Sequence, residues 1–199
     1  MAEPSRFCLV LERTSEDVYE PDFVTNLPLV SFEAFVPAHR VFGWVRLDAD
    51  RLTDLLNDHE ELLLVNVKVE SLDDGATVTA DEAVVRRADL VAVRASGPRG
   101  QASRREHTRT HAIVVEAGSY RIGGYLHAAP GVGAASRIWG REPMIPLTEA
   151  WIEYRPRGEP RRWPVGTIIV NRDLASRIES VAEQSLEDGR LPALVIAGG

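Results

Sequence analysis

Few side chains in this sequence stand at spacings that do chemistry. His107 and His111 are four residues apart, which on a helix would present both imidazoles to one metal ion. The neighbouring arginines repel a divalent cation, no Cys or Asp cluster supplies a third ligand, and the segment runs from linker into strand, so no metal site is expected. His39 and His127 lie at strand ends with no Ser or Cys in a nucleophile-type motif, which points to structural roles. Cys8 sits in the apolar run Phe7-Cys8-Leu9-Val10-Leu11, where a thiol behaves as a small hydrophobe and only Arg6 is near enough to lower its pKa. Gly131-Val132-Gly133-Ala134-Ala135-Ser136 has the glycines of a phosphate loop but no lysine and no βαβ unit around it. No catalytic residue, cofactor or metal is therefore assigned. An enzyme assembled from distant residues stays as an alternative that a ligand-sized pocket converging on His39 or His127 would revive.

Binding chemistry is more visible. Trp151, Tyr154 and Trp163 are interleaved with Arg155, Arg157, Arg161 and Arg162 around a turn whose prolines and glycine forbid continued pairing. Guanidinium groups pair with phosphates or carboxylates and aromatic rings stack, so this basic hairpin, residues 151–163, is the strongest candidate surface. Its counterparts are Asp54, Asp58, Glu60 and Glu61, which match no metal-loop spacing, as neither do Asp73 and Asp74, and form a solvated acidic face.

The elements that must carry these residues follow from the rest of the chain. Its 199 residues suit one large domain or two small ones, and 44% hydrophobic with 27% charged residues is a globular composition. A lone cysteine and the lack of a leader-like start or a long apolar run lead to the expectation of a soluble, cytoplasmic protein without a membrane span. Charge is uneven: residues 1–93 hold 19 acidic against 8 basic side chains, whereas 94–199 hold 11 against 15, so an acidic half precedes a basic one. The pI of about 5.3 opposes a dedicated nucleic-acid binder.

The chain also repeats itself. His39 to Arg46 is echoed by Tyr120 to His127 at an offset of 81, Leu62 to Asn66 by Met144 to Thr148 at 82, and Val84 to Leu90 by Ile168 to Leu174 at 84. Slowly growing offsets are what loop insertions in a duplicated unit produce. Phe32–Val36 and Ile113–Val115 read as strands, Gly43 and Gly123-Gly124 mark a bulge in the strand that follows, and Leu52 to Asn57 forms a short helix capped by Asp50. Its counterpart, Gly131 to Gly140, looks looser. Val65, Val67 and Val69 alternate with Asn66, Lys68 and Glu70 in a strand that ends at the turn Asp73-Asp74-Gly75. Leu174, Ile178, Val181 and Ser185 lie on one helical face, so a C-terminal helix of about four turns starts at Asp173. Leu194-Val195-Ile196 is placed as an edge strand beside Cys8 to Leu11.

Over residues 112–178 the motifs Tyr120 to His127, Ile145 to Ala150 and Ile168 to Leu174 resemble a small uncharacterised bacterial domain. That domain has a glycine-containing strand, a proline-containing strand and an Asn-Arg-Asp strand exit. The same residues are broadly similar to Sm-like and SH3-like small barrels, five-stranded bent sheets that often assemble into rings. In the first half the pattern is worn down, with Arg87-Ala88-Asp89 for Asn171-Arg172-Asp173 and Leu64 for Pro146. The resemblance implies a mainly β protein of two duplicated small β-barrel-like units, with short helices and one C-terminal helix. The divisions are an acidic unit over 1–93, a linker over 94–110, a basic unit over 111–173, and a helix and tail over 174–199. It implies no activity, since small barrels host many functions. The expected role is non-enzymatic: self-association into a homo-oligomer, or docking of a protein partner, through the acidic and basic faces. The alternative is a nucleic-acid binder using the hairpin 151–163.

Overall fold

The computed structural model describes residues 27–97, 108–140, 142–183 and Leu186. Ten strands form a single antiparallel sheet. In chain order they are β1 (Leu29–Val36), β2 (His39–Arg46), β3 (Glu61–Ser71), β4 (Thr77–Arg86) and β5 (Ala92–Arg94), then β6 (Arg109–Ala117), β7 (Tyr120–Ala128), β8 (Met144–Tyr154), β9 (Arg161–Asn171) and β10 (Arg177–Ser180). Helix α1 (Leu52–Asp58) joins β2 to β3, and α2 (Ala134–Ile138) joins β7 to β8. The spatial order is β10-β6-β7-β8-β9-β5-β1-β2-β3-β4. No helix among the described residues is long and apolar enough to cross a membrane.

Each half runs strand, strand, helix, strand, strand, 3-10 turn, strand, the second adding a 3-10 turn at Pro156–Gly158 between its third and fourth strands, and in each the fifth strand returns to pair with the first. The pairing registers equate residues across the halves. Val36 opposite His39 matches Ala117 opposite Tyr120, and Val45 opposite Leu64 matches Leu126 opposite Leu147. Asn66 in β3 and Glu149 in β8 both adopt positive φ, at 53° and 48°. Each sits at a bulge facing a glycine, and a Cβ on Gly43 or Gly124 would meet the opposing strand at 3.2 Å or 2.9 Å. The bulge moves Val65 outward and turns Leu62, Leu64 and Val67 inward, so the even alternation expected of Val65, Val67 and Val69 does not hold.

These registers also correct the sequence alignment by a residue. Arg87 N–H donates to Glu60 O as Arg172 N–H donates to Pro143 O, which sets Arg87, not Ala88, against Arg172. Both arginines then do the same work. Arg87 donates to Leu56 O and Asn57 O at the end of α1, while Arg172 donates to Ile138 O and Gly140 O at the end of α2. They satisfy helix C-terminal carbonyls with a fixed cation.

The expected pair of closed barrels is not what the strands form: the sheet is open, and β9 of the second half continues directly into β5 of the first. Closure was implied by the resemblance to small barrels, and the long-range β5–β9 pairing that joins the halves has no local sequence signal. The expected helix from Asp173 is also corrected. Residues 172–174 form a 3-10 turn and Arg177–Ser180 is strand β10, with Ile178 opposite Val115. Leucine and isoleucine four apart suit either period over so short a stretch, and the exposed side of β6 decides for strand. Most of that helix beyond Glu183, the strands at Cys8–Leu11 and Leu194–Ile196, and His107 lie outside the described residues. The α1 cap is Arg51, whose guanidinium pairs with Asp54, and not Asp50.

Two buried clusters fill the sheet's inner faces, one around Phe32, Leu56 and Leu64 in the first half and one around Ile122, Leu147 and Tyr154 in the second. Met144 and Ile169 of the second half belong to the first cluster, and Phe35 and Ala92 of the first half to the second. Asn57 bonds both Met144 O and Met144 N–H, Tyr120 Oη donates to Val36 O, and Asn171 Nδ2 donates to Arg87 O. The halves therefore share their cores.

Candidate functional site

The splice between the halves is short. Ala92, Val93 and Arg94 pair with Val170, Ile169 and Ile168, and Asn171 N–H to Val91 O and Ala95 N–H to Thr167 O extend it at 3.0 Å each. It joins a fifth strand to a fourth strand. Among the described residues the two outer edges of the sheet are again a fourth strand, β4, and a fifth strand, β10. Registers carry Val93 onto Ile178 and Ile169 onto Val84, both half-buried aliphatics. Strand β4 is ten residues long and contains neither proline nor lysine, its charges being Asp81, Glu82 and Arg86.

The β8–β9 hairpin shares strand β9 with the splice. It does not make one basic aromatic surface, because adjacent strand residues point to opposite faces. Trp151 pairs across from Pro164 and Glu153 from Arg162, so these four share one face; Ile152, Tyr154, Arg161 and Trp163 share the other. On the first face Trp151 is buried with Ala112, Val114 and Leu186, donates its Nε1–H to Leu186 O at 3.2 Å, and carries the Arg162 guanidinium 3.7 Å from its ring centre. Arg162 also donates to Leu186 O, and burial holds its pKa below the usual value against the pull of Glu153.

On the second face Trp163 and Tyr154 close over Arg40 of the first half. The Arg40 guanidinium lies 4.7 Å from Phe42, 4.9 Å from Trp163, 5.7 Å from Phe35 and 5.9 Å from Tyr154. Glu33 accepts from it at 2.6 Å and Glu70 at 3.5 Å, and Arg94 completes the cluster on Glu33 at 3.1 Å. Two aromatic rings of the second half thus cover an ion-pair cluster that belongs wholly to the first. Burial raises the Tyr154 phenol, with Arg40 pulling the other way.

The remaining expected contacts fall elsewhere. Arg155 and Arg161 are exposed near the tip, and Arg157 sits in the 3-10 turn Pro156–Gly158. Asp54 is paired with Arg51, Glu60 lies 4.0 Å from Arg87, and Asp58 and Glu61 are exposed at the end of α1 and the start of β3. That cluster adjoins Met144, at the far end of β8 from the hairpin tip, a separation of about 30 Å along eleven residues. The acidic and basic sets therefore do not meet within the chain. His127 contacts the hydroxyls of Thr108 and Thr148 at 3.0 and 2.7 Å, and His39 bonds Pro37 O. The splice and the covering of Arg40 by Tyr154 and Trp163 join the two halves, which no local window contains; only Arg40 and Glu33, 7 positions apart, are local.

No family model, curated protein or solved structure matches this chain.

Proposed function

We propose that this chain is a non-enzymatic assembly protein: a tandem of two copies of one small β unit that associates with further copies head to tail, β10 of one chain pairing with β4 of the next. The observation that carries this reading is the splice itself. Inside the chain a fifth strand already pairs with a fourth strand, and the same two strand types stand at the outer edges. Copying the internal register sets Ile178 of one chain opposite Val84 of its neighbour. Such a contact is heterologous, so it closes into a ring or runs on as a filament. Exposed acidic and basic side chains steer the encounter and the strand edges hold it.

Light scattering on a sizing column tests the proposal. The wild type should elute as a multiple of its 22.0 kDa chain mass. At the splice Asn171 N–H and Thr167 O face β5, so the equivalent outward position in β4 is Val84. Val84→Pro should remove one outward N–H, leave the β3 ladder intact and give a monomer with unchanged circular dichroism. A monomeric wild type at about 50 μM, a concentration above most specific dissociation constants, would overturn the proposal. Association through complementary faces alone predicts that salt, or reversing Arg155, Arg157, Arg161 and Arg162 to glutamate, dissociates the assembly; edge pairing predicts that it survives both.

A further inference from the structure

We propose that the depression beside Trp44 binds a small planar aromatic anion. It measures about 420 Å³ and is lined by Ser31, Glu33, Phe42, Trp44, Asn66 and Arg94, with Gly43 and Ser96 completing the wall. That volume lies within the range of small-molecule sites.

The second half shows what this place in the fold accepts. The registers equate Ser31 with Ala112, Glu33 with Val114, Trp44 with Tyr125, and Lys68 with Trp151. There the Trp151 indole lies against Gly123, so close that a Cβ on that glycine would stand 2.4 Å from the ring, and Leu186 covers it. The position takes a flat ring, and the second half supplies one from its own chain. In the first half Lys68 carries no ring, Phe42 replaces Gly123, and Ala112, Val114 and Val181 become Ser31, Glu33 and Ser96. An apolar lining has become hydrogen-bonding groups around two aromatic side chains. The positive φ of Asn66 is shared with Glu149 and belongs to the bulge, so it plays no part here.

Charge sets the sign of the ligand. Glu33 and Arg94 of the lining pair at 3.1 Å, Arg40 and Glu70 beyond it cancel in turn, and Lys68, opposite Phe42 in the next strand, leaves one positive charge over. Trp44 is 44% exposed, a ring face open to a stacking partner. A flat ring stacked on Trp44, its edge bonded by Ser31 and Asn66 and its anion beside Arg94, uses each of these features. Nucleotides and aromatic carboxylates share that chemistry.

Isothermal titration of the full chain with AMP, UMP and indole-3-acetate separates the two sources. At least one should bind with Kd of about 1 mM or tighter, and Trp44→Ala or Arg94→Ala should weaken it by about fivefold or more. The pair Phe42→Gly with Lys68→Trp puts the ring and glycine of the second half into the first and should abolish binding with far-ultraviolet circular dichroism unchanged, at a lower thermal midpoint because the Phe42 stack on Arg40 is lost. Absence of binding by all three probes, or binding that Trp44→Ala and Arg94→Ala leave unchanged, would overturn the inference. So would binding of oligo(A) without binding of AMP or UMP, since contacts would then extend along a strand. A monomer that binds a probe leaves this inference standing while refuting the assembly proposal.

Discussion

Replacing Gly123 by alanine tests how far the second half depends on the ring it encloses. A Cβ at this position falls 2.4 Å from two indole carbons of Trp151 and 2.7 Å from Nε1, well inside van der Waals contact with a rigid group, so the ring must move. The ring then loses its bond to Leu186 O, worth about 1 kcal/mol, and its stacked contact with Arg162, about 0.5–1 kcal/mol. Distorted packing against Ala112 and Val114 adds about 1–2 kcal/mol. The variant should therefore be less stable by about 3–4 kcal/mol, and with about 2–4 °C per kcal/mol for a chain of this size, its midpoint should fall by about 6–15 °C. Thermal unfolding followed by near- and far-ultraviolet circular dichroism measures it. In a Trp151→Ala background the alanine meets no ring, and because it restricts the unfolded chain the same change should be neutral or stabilising by up to about 1 kcal/mol. The coupling between the two sites should thus approach about 3 kcal/mol. Equal losses in both backgrounds would refute the close-approach account.

Arg40→Met keeps the apolar stem but leaves Glu33 and Glu70 without the cation between them, and should destabilise by about 3 kcal/mol in urea unfolding. Arg40→Lys should recover only part of this, since an ammonium cannot lie flat across Phe42 and Trp163; full recovery would show that charge alone matters. Burial raises the phenols of Tyr120 and Tyr154 in the folded chain, with Arg40 opposing. A raised folded value means that their contribution is fully present below the unfolded value of about 10 and is lost as pH rises through the folded values. The urea midpoint should hold steady through pH 8–9 and fall above about 10, with a smaller fall in Tyr120→Phe; a midpoint unchanged up to pH 11 would contradict the burial.

Much of the local architecture was legible. Apolar, β-branched runs located β1 to β3 and β6 to β9, the turn Asp73-Asp74-Gly75 announced β4 without a strand being drawn there, and Gly43 and Gly123-Gly124 marked the bulges, because glycine is what lets the facing strand approach. The correspondence between halves was visible too, but off by a residue at β3 and β4. The eye aligned residue types, Asp89 with Asp173, whereas the backbone aligns Arg87 with Arg172 through the carbonyls they hold. The hairpin showed the limit of composition. Arginine and tryptophan adjacent in sequence are on opposite faces of a strand, so Trp151 and Trp163 serve separate clusters. Strand β10 was lost to a helix because four residues carry too little period to choose, and the choice is made by β6, which no local window contains.

The splice also orders the events of folding. Strand β5 meets β1, and β10 meets β6, within one half each, whereas Val93 meets Ile169 of the other half. The hairpin ladders inside each half close loops of a few residues and form first, and the three-residue seam zips onto them afterwards. Until then both sides of the seam expose unpaired N–H and C=O groups of the same register. At high concentration a neighbouring chain competes for them on equal terms, and the partner that arrives first decides between a closed chain and an exchanged one.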